Sequence, residues 1–203
     1  MSQPGPLEWG RYYHIYNRGN NRENLFVEER NYRYFLELYA HYIEPVAETY
    51  AYCLLRNHFH LLIRTRDLDD QDLTGLGRPV RSVQTPSRAF SNLFNAYAKA
   101  INQAYDRTGS LFQRPFGRIE VTSDAQFTWL VVYIHRNPQK HLFVDDFRDW
   151  PYSSYHALLS AQPTRLKREV VLGWFDGPAG LAALHRQGSD ENSIAPLIAD
   201  DFD

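Results

Sequence analysis

Cysteine is almost absent: Cys53 stands alone in 203 residues, which excludes an internal disulfide and a cysteine-based zinc site. The chain also lacks any apolar run approaching the roughly 20 residues of a membrane helix, and its opening Met-Ser-Gln-Pro-Gly-Pro has neither region of a signal peptide. These absences point to a cytoplasmic protein with no membrane partner. Strong charge is missing too, since the net charge is only -2. Its distribution is uneven, however. Between Arg78 and Arg118 seven cations (Arg78, Arg81, Arg88, Lys99, Arg107, Arg114, Arg118) face one acid, Asp106, whereas acids gather at Asp145-Asp146 and in the tail Asp200-Asp201-Phe202-Asp203. A local excess of cations suits a phosphate-tracking surface, although a charge run is more often only a solvated face. No internal repeat or low-complexity tract occurs.

Aromatics, by contrast, are plentiful at 15%, with 14 Tyr and 12 Phe, and they mark out the elements. Tyr12 to Tyr16 reads as a strand, followed by the polar loop Asn17 to Arg22. Tyr32, Phe35, Leu36, Tyr39, Tyr42 and Ile43 recur at helical spacing, with Glu28 and Glu29 at the start and Pro45 as the stop. Tyr50 to Leu55 and His58 to Arg64 form a hairpin about Arg56-Asn57. Thr85-Pro86 opens a second helix whose stripe runs through Phe90, Leu93, Phe94, Tyr97, Ala98, Ile101 and Tyr105. A strand over Phe116 to Val121 follows. Ser123-Asp124-Ala125-Gln126 then supplies a capping box for a third helix, with Phe127, Leu130, Val131 and Ile134 facing the core and Pro138 at its end. This order predicts an α+β fold, an antiparallel or mixed sheet with helices packed on it in the split strand-helix-strand layout of ferredoxin-like folds. Residues 66–84 carry no periodicity and read as a flexible excursion; residues 158–203 read as a C-terminal extension of short helices on the rim of the core.

In the strand after the hairpin turn, His58, His60 and Leu62 share one face while Phe59, Leu61 and Ile63 share the other. Two imidazoles at i and i+2 can converge on one cation, but His-x-His alone is weak evidence, and one satisfied core histidine beside one surface histidine explains it as well. Two imidazoles hold a hard ion such as Mg2+ poorly, so a third, oxygen donor is required. On the third helix Tyr133 and Asn137 lie one turn apart on the flank that meets the sheet, where Asn137 can supply that oxygen or else merely cap the helix before Pro138.

These residues fall within a set of motifs that resembles the single-tyrosine HUH transposases, in the branch of the REP-associated tyrosine transposases. The similarity runs from about Tyr12 to Tyr155. It comprises Asn17-Arg18-Gly19-Asn20, Ala51-Tyr52 leading into Arg56-Asn57-His58-Phe59-His60-Leu61-Leu62, Thr108-Gly109-Ser110-Leu111-Phe112-Gln113-Arg114, Tyr133-Ile134-His135-Arg136-Asn137-Pro138 and Trp150-Pro151-Tyr152-Ser153-Ser154-Tyr155. Leu55-Arg56 stands where the family commonly has Met-Pro. Gln113-Arg114-Pro115-Phe116 replaces a Gln-Gly-Arg-Phe pattern, leaving Arg114 and Arg118 as alternatives for the family's phosphate-contacting arginine.

The resemblance implies the HUH endonuclease fold over residues 1–157 and sequence-directed cleavage and rejoining of single-stranded or hairpin DNA. Tyr133 would be the nucleophile that forms a 5'-phosphotyrosine, and His58, His60 and Asn137 would hold a divalent metal, Mg2+ or Mn2+. Arg18, Arg22, Arg78, Arg81, Arg88, Arg114 and Arg118 are the candidate DNA-binding residues, and a homodimer is a candidate assembly. The competing reading is a catalytically silent, domesticated binder of hairpin DNA or RNA. A metal phosphohydrolase without a covalent intermediate is disfavoured, because no carboxylate lies near His58 to Arg64.

Overall fold

The computed structural model describes residues 5–68, 84–188 and 190–198. Most of the excursion, including Arg78 and Arg81, and the acidic tail lie outside the described residues.

Four strands, β1 (Tyr12–Arg18), β2 (Ala47–Leu54), β3 (His58–Thr65) and β4 (Gly117–Glu120), form a sheet in the order β2-β3-β1-β4. All its pairings are antiparallel. Helix α1 (Glu29–Tyr42) crosses between β1 and β2, and α2 (Pro86–Ala104) between β3 and β4, while α3 (Asp124–Lys140) follows β4. This is the predicted split strand-helix-strand order. Phe59 on β3 packs against Phe35 of α1 and Phe94 of α2, so those two helices cover one sheet face. Tyr50 against Phe127, and His60 against Tyr133, put α3 on the other.

The helices start where their capping chemistry says they should. Thr85 accepts a hydrogen bond from the Arg88 amide ahead of Pro86, and Ser123 accepts one from Gln126. The capping box at Ser123 is only half formed, however: Gln126 Oε1 reaches back to the amide of Thr122 at 3.0 Å, one residue before the cap. Nor does Pro138 end α3. The helix continues to Lys140 with Pro138 inside it, without the bond that a backbone N–H would have made there. β4 is shorter than the predicted Phe116–Val121, and β1 longer than Tyr12–Tyr16, taking in Asn17 and Arg18 from the predicted loop.

One further difference matters for the site. The alternative for His-x-His paired one core with one surface histidine, yet both faces of β3 are buried, and His58 and His60 with them. Helix α3 covers the imidazole face, and the C-terminal segment covers α3 in turn. Helices α4 (Tyr155–Leu159), α5 (Arg168–Trp174), α6 (Pro178–Gln187) and α7 (Glu191–Ile198) follow, and both α6 and α7 pack on α3. Leu181, Ile194, Leu197 and Ile198 are buried in the common core, and α3 is accordingly buried all round from Leu130 to His135.

Candidate active site

Strand pairing assembles the site. Opposite residues of an antiparallel pair point to the same face, and β1 pairs Arg18 with His58 and Tyr16 with His60. His14, Tyr16, Arg18, His58 and His60 therefore share the face that α3 covers. The turn holding His58 is tied down from two sides. Gly19 N–H donates to Asn57 C=O at 2.8 Å, and the amides of Leu25 and Phe26 donate to Arg56 C=O. Gly19 is required for this approach, because a Cβ there would meet the Glu23 carbonyl at 2.0 Å. The Asn17-to-Asn20 segment is in turn bridged to residues 110–113 through Asn20 N–H to Leu111 C=O and Gln113 N–H to Arg18 C=O, both 3.0 Å. At the β2 edge, Leu54 and Ser154 amides donate across to Tyr152 and Tyr52, so the Trp150-to-Ser154 stretch closes that edge. Sequence motifs distant from one another thus interlock around one hairpin.

Among the predicted site residues, His58, His60, Tyr133 and Asn137 come together, all at most 4% exposed. The Tyr133 and His60 rings meet edge to face at 5.7 Å, and Asn137 Oδ1 lies 3.1 Å from His58 Nε2. His58 Nδ1 faces a second amide oxygen, Asn57 Oδ1, at 2.7 Å. A neutral imidazole donates only once, so one of these pairs sets two acceptors against each other. The longer contact, at Asn137, is the natural one. Turning the Asn137 amide, whose Nδ2 is otherwise unsatisfied, would let it donate to His58 Nε2; a cation shared by that nitrogen and the amide oxygen would resolve the conflict as well. Asn137 is not a helix cap; its own carbonyl receives the His141 amide while its side chain is turned into the core. Among the described residues no cluster of three His, Cys, Asp or Glu side chains that could hold a metal ion occurs.

Burial is the leading influence on His60. Together with the nearby rings of His58, His14 and His141, it holds the His60 pKa well below the ordinary histidine value, which keeps the imidazole neutral. Lys140, one turn beyond Arg136, carries its ammonium 4.9 Å from the Tyr133 ring centre and pairs with Glu191 of α7 at 2.7 Å.

The arginines divide. Arg18 belongs with the histidines, whereas Arg88, Arg114 and Arg118 line a cleft of 460 Å3 between α2 and β4, on the opposite face of the sheet, with Asn17, Ser87 and Asn95. Among the described residues no acid lines that cleft. Arg118 stacks on Phe116 at 4.2 Å, and burial lowers its pKa. Arg22 lies in the loop after β1, at a φ of 60°.

No family model matches the chain. A Haemophilus influenzae protein bearing the name REP-associated tyrosine transposase is 29% identical over 119 residues, 57% of this chain and 62% of that protein's own length. A solved structure of a REP-associated tyrosine transposase bound to a REP hairpin superposes with a TM-score of 0.59 at 19% identity, covering 80% of this chain and 88% of the other. The chain is similar to the REP-associated tyrosine transposases. The resemblance read from the motifs is thereby borne out, and the four-stranded antiparallel sheet with its packed helices is the α+β fold of the solved transposase.

Three residues escaped the sequence reading. His14, Lys140 and His141 reach the site only through strand register or from the last turn of α3, and none belongs to a motif. The alternation of His14 with Tyr16 along β1 was the one available signal.

Proposed function

We propose that the chain cleaves and rejoins DNA strands at hairpin-forming sequences through a covalent tyrosine intermediate. One observation carries the reading: a single helix, α3, presents Tyr133 to His60 and, one turn on, Asn137 to His58. In this reaction the Tyr133 hydroxyl oxygen bonds to the scissile phosphorus, the bond from phosphorus to the 3' oxygen breaks, and the released 3'-hydroxyl takes up a proton. A 3'-hydroxyl attacking the phosphotyrosine restores both the phosphodiester and the phenol, so no external energy source is consumed. The phenol is a weak nucleophile near neutral pH. A Mg2+ or Mn2+ ion held by His58, His60 and Asn137 would draw charge from the scissile phosphate. Holding Tyr133 and Asn137 on one rigid helix keeps nucleophile and ion in a constant relation.

Incubation with end-labelled hairpin DNA should leave label on the protein that survives denaturing gels, on the fragment bearing the new 5' end. Binding without such an adduct would favour the silent-binder reading. That second reading has one observation behind it: Tyr133 is only 1% exposed, so attack on DNA requires its cover to shift.

The acid-free cleft supplies cations for the DNA backbone. Affinity should fall steeply with salt, and each of Arg88→Ala, Arg114→Ala and Arg118→Ala should reduce the log-log slope by about one. Titrations at several salt concentrations check this; slopes equal to the parent's would remove the cleft from the DNA path.

A further inference from the structure

His14 is fully buried on β1, belongs to none of the motifs, and stands between a metal-ligand candidate and the C-terminal helix. Its Nδ1 lies 2.8 Å from the Leu197 carbonyl of α7, and its Nε2 lies 3.0 Å from His60 Nδ1. The two rings stack with centres 5.2 Å apart. A carbonyl oxygen can only accept, so His14 Nδ1 carries a proton. A neutral imidazole carries a single proton, so with Nδ1 donating the His14 Nε2 is an acceptor. His60 must then donate from Nδ1, and its Nε2 keeps its lone pair. Which nitrogen of a histidine binds a cation is set by the hydrogen bond made by the other.

We propose that His14 is a positioning residue which locks His60 in the Nδ1–H form, with the Leu197 carbonyl locking His14 in turn. Proton order thus runs one way, from His60 to His14 to the backbone of α7, and the C-terminal helix takes part in preparing the site. The inference draws its use from the proposed metal site but not its evidence, which is the hydrogen-bond chain itself.

Both can be tested separately. Long-range nitrogen-proton NMR of histidine-labelled, metal-free protein should report His60 protonated at Nδ1. In His14→Leu the Nε2–H form favoured by free imidazole should appear, and in His14→Gln, whose amide can accept from His60 and donate to Leu197, the Nδ1–H form should return. Mn2+ binding followed by electron paramagnetic resonance should weaken about 10- to 100-fold in His14→Leu and recover in His14→Gln. An Nε2–H form of His60 in the parent, or an Nδ1–H form retained in His14→Leu, overturns the proposal. Should His14→Leu fail to fold, the parent's tautomer and that of His14→Gln still decide it. A parent with the stated tautomer that binds no Mn2+ supports the role of His14 and overturns the metal reading instead.

Discussion

Acidification from pH 7 to pH 5 should take about 2 kcal/mol from the folding stability through His185 alone. His185 of α6 is buried, and its desolvation, opposed by its bond to the Leu181 carbonyl and aided by Arg136, lowers its pKa from 6.5 to about 4. The unfolded chain takes up a proton near 6.5 and the folded one resists until about 4. Stability is therefore full above pH 6.5 and drains as the pH falls through that window. The hydrogen bonds explain the resistance. His185 donates from Nδ1 to Leu181 C=O at 2.7 Å and accepts at Nε2 from His135 Nδ1 at 2.8 Å; His135 Nε2 accepts from the Ser154 hydroxyl at 2.7 Å, and that oxygen accepts from the Tyr52 amide at 2.8 Å. Every proton has one seat, and an added one would set two donors face to face. His135, its pKa also held well below the ordinary value by burial, adds a loss of the same sign. Denaturant titrations at both pH values should show His185→Gln less pH-sensitive than the parent by about 2 kcal/mol; an undiminished difference would dissociate the network from the effect. The network matters for function because it pins α3 between Tyr52 and α6, and α3 carries Tyr133 and Asn137 on its other side.

Removing the amide of Asn137 or the ring of His60 should act on the ion rather than on the DNA. Asn137→Ala should raise the Mn2+ concentration for half-maximal cleavage about 10- to 100-fold, as losses at a ligand set commonly do, while His60→Ala should leave cleavage below detection. Hairpin affinity without metal should stay near the parent's for Asn137→Ala, because its side chain is fully buried in the free protein. An unchanged metal requirement in Asn137→Ala would mean that its contact with His58 is structural.

Local patterns made much of this legible. Period-two alternation in β3, the stripe of α2 and the Thr85 cap are dictated by neighbours a few residues away, and they read correctly. Long-range facts did not. Only the β1–β3 register puts His14 beside His60, and only the return of α6 and α7 onto α3 buries that helix all round from Leu130 to His135. Arg114 and Arg118 looked like alternatives along the chain, yet both line one cleft. Pro138 misled because a proline disfavours helix without forbidding it, and α3 runs on past it to Lys140.

The most direct measurement is the identity of the residue that becomes joined to DNA. After incubation of the protein with hairpin DNA and Mn2+, nuclease trimming and proteolysis, mass spectrometry should find a nucleotide 5'-phosphate on the peptide containing Tyr133, and Tyr133→Phe should bind the hairpin as the parent does but yield no adduct. An adduct on another residue, or one that persists in Tyr133→Phe, would contradict the assignment of α3 as the helix that carries the nucleophile.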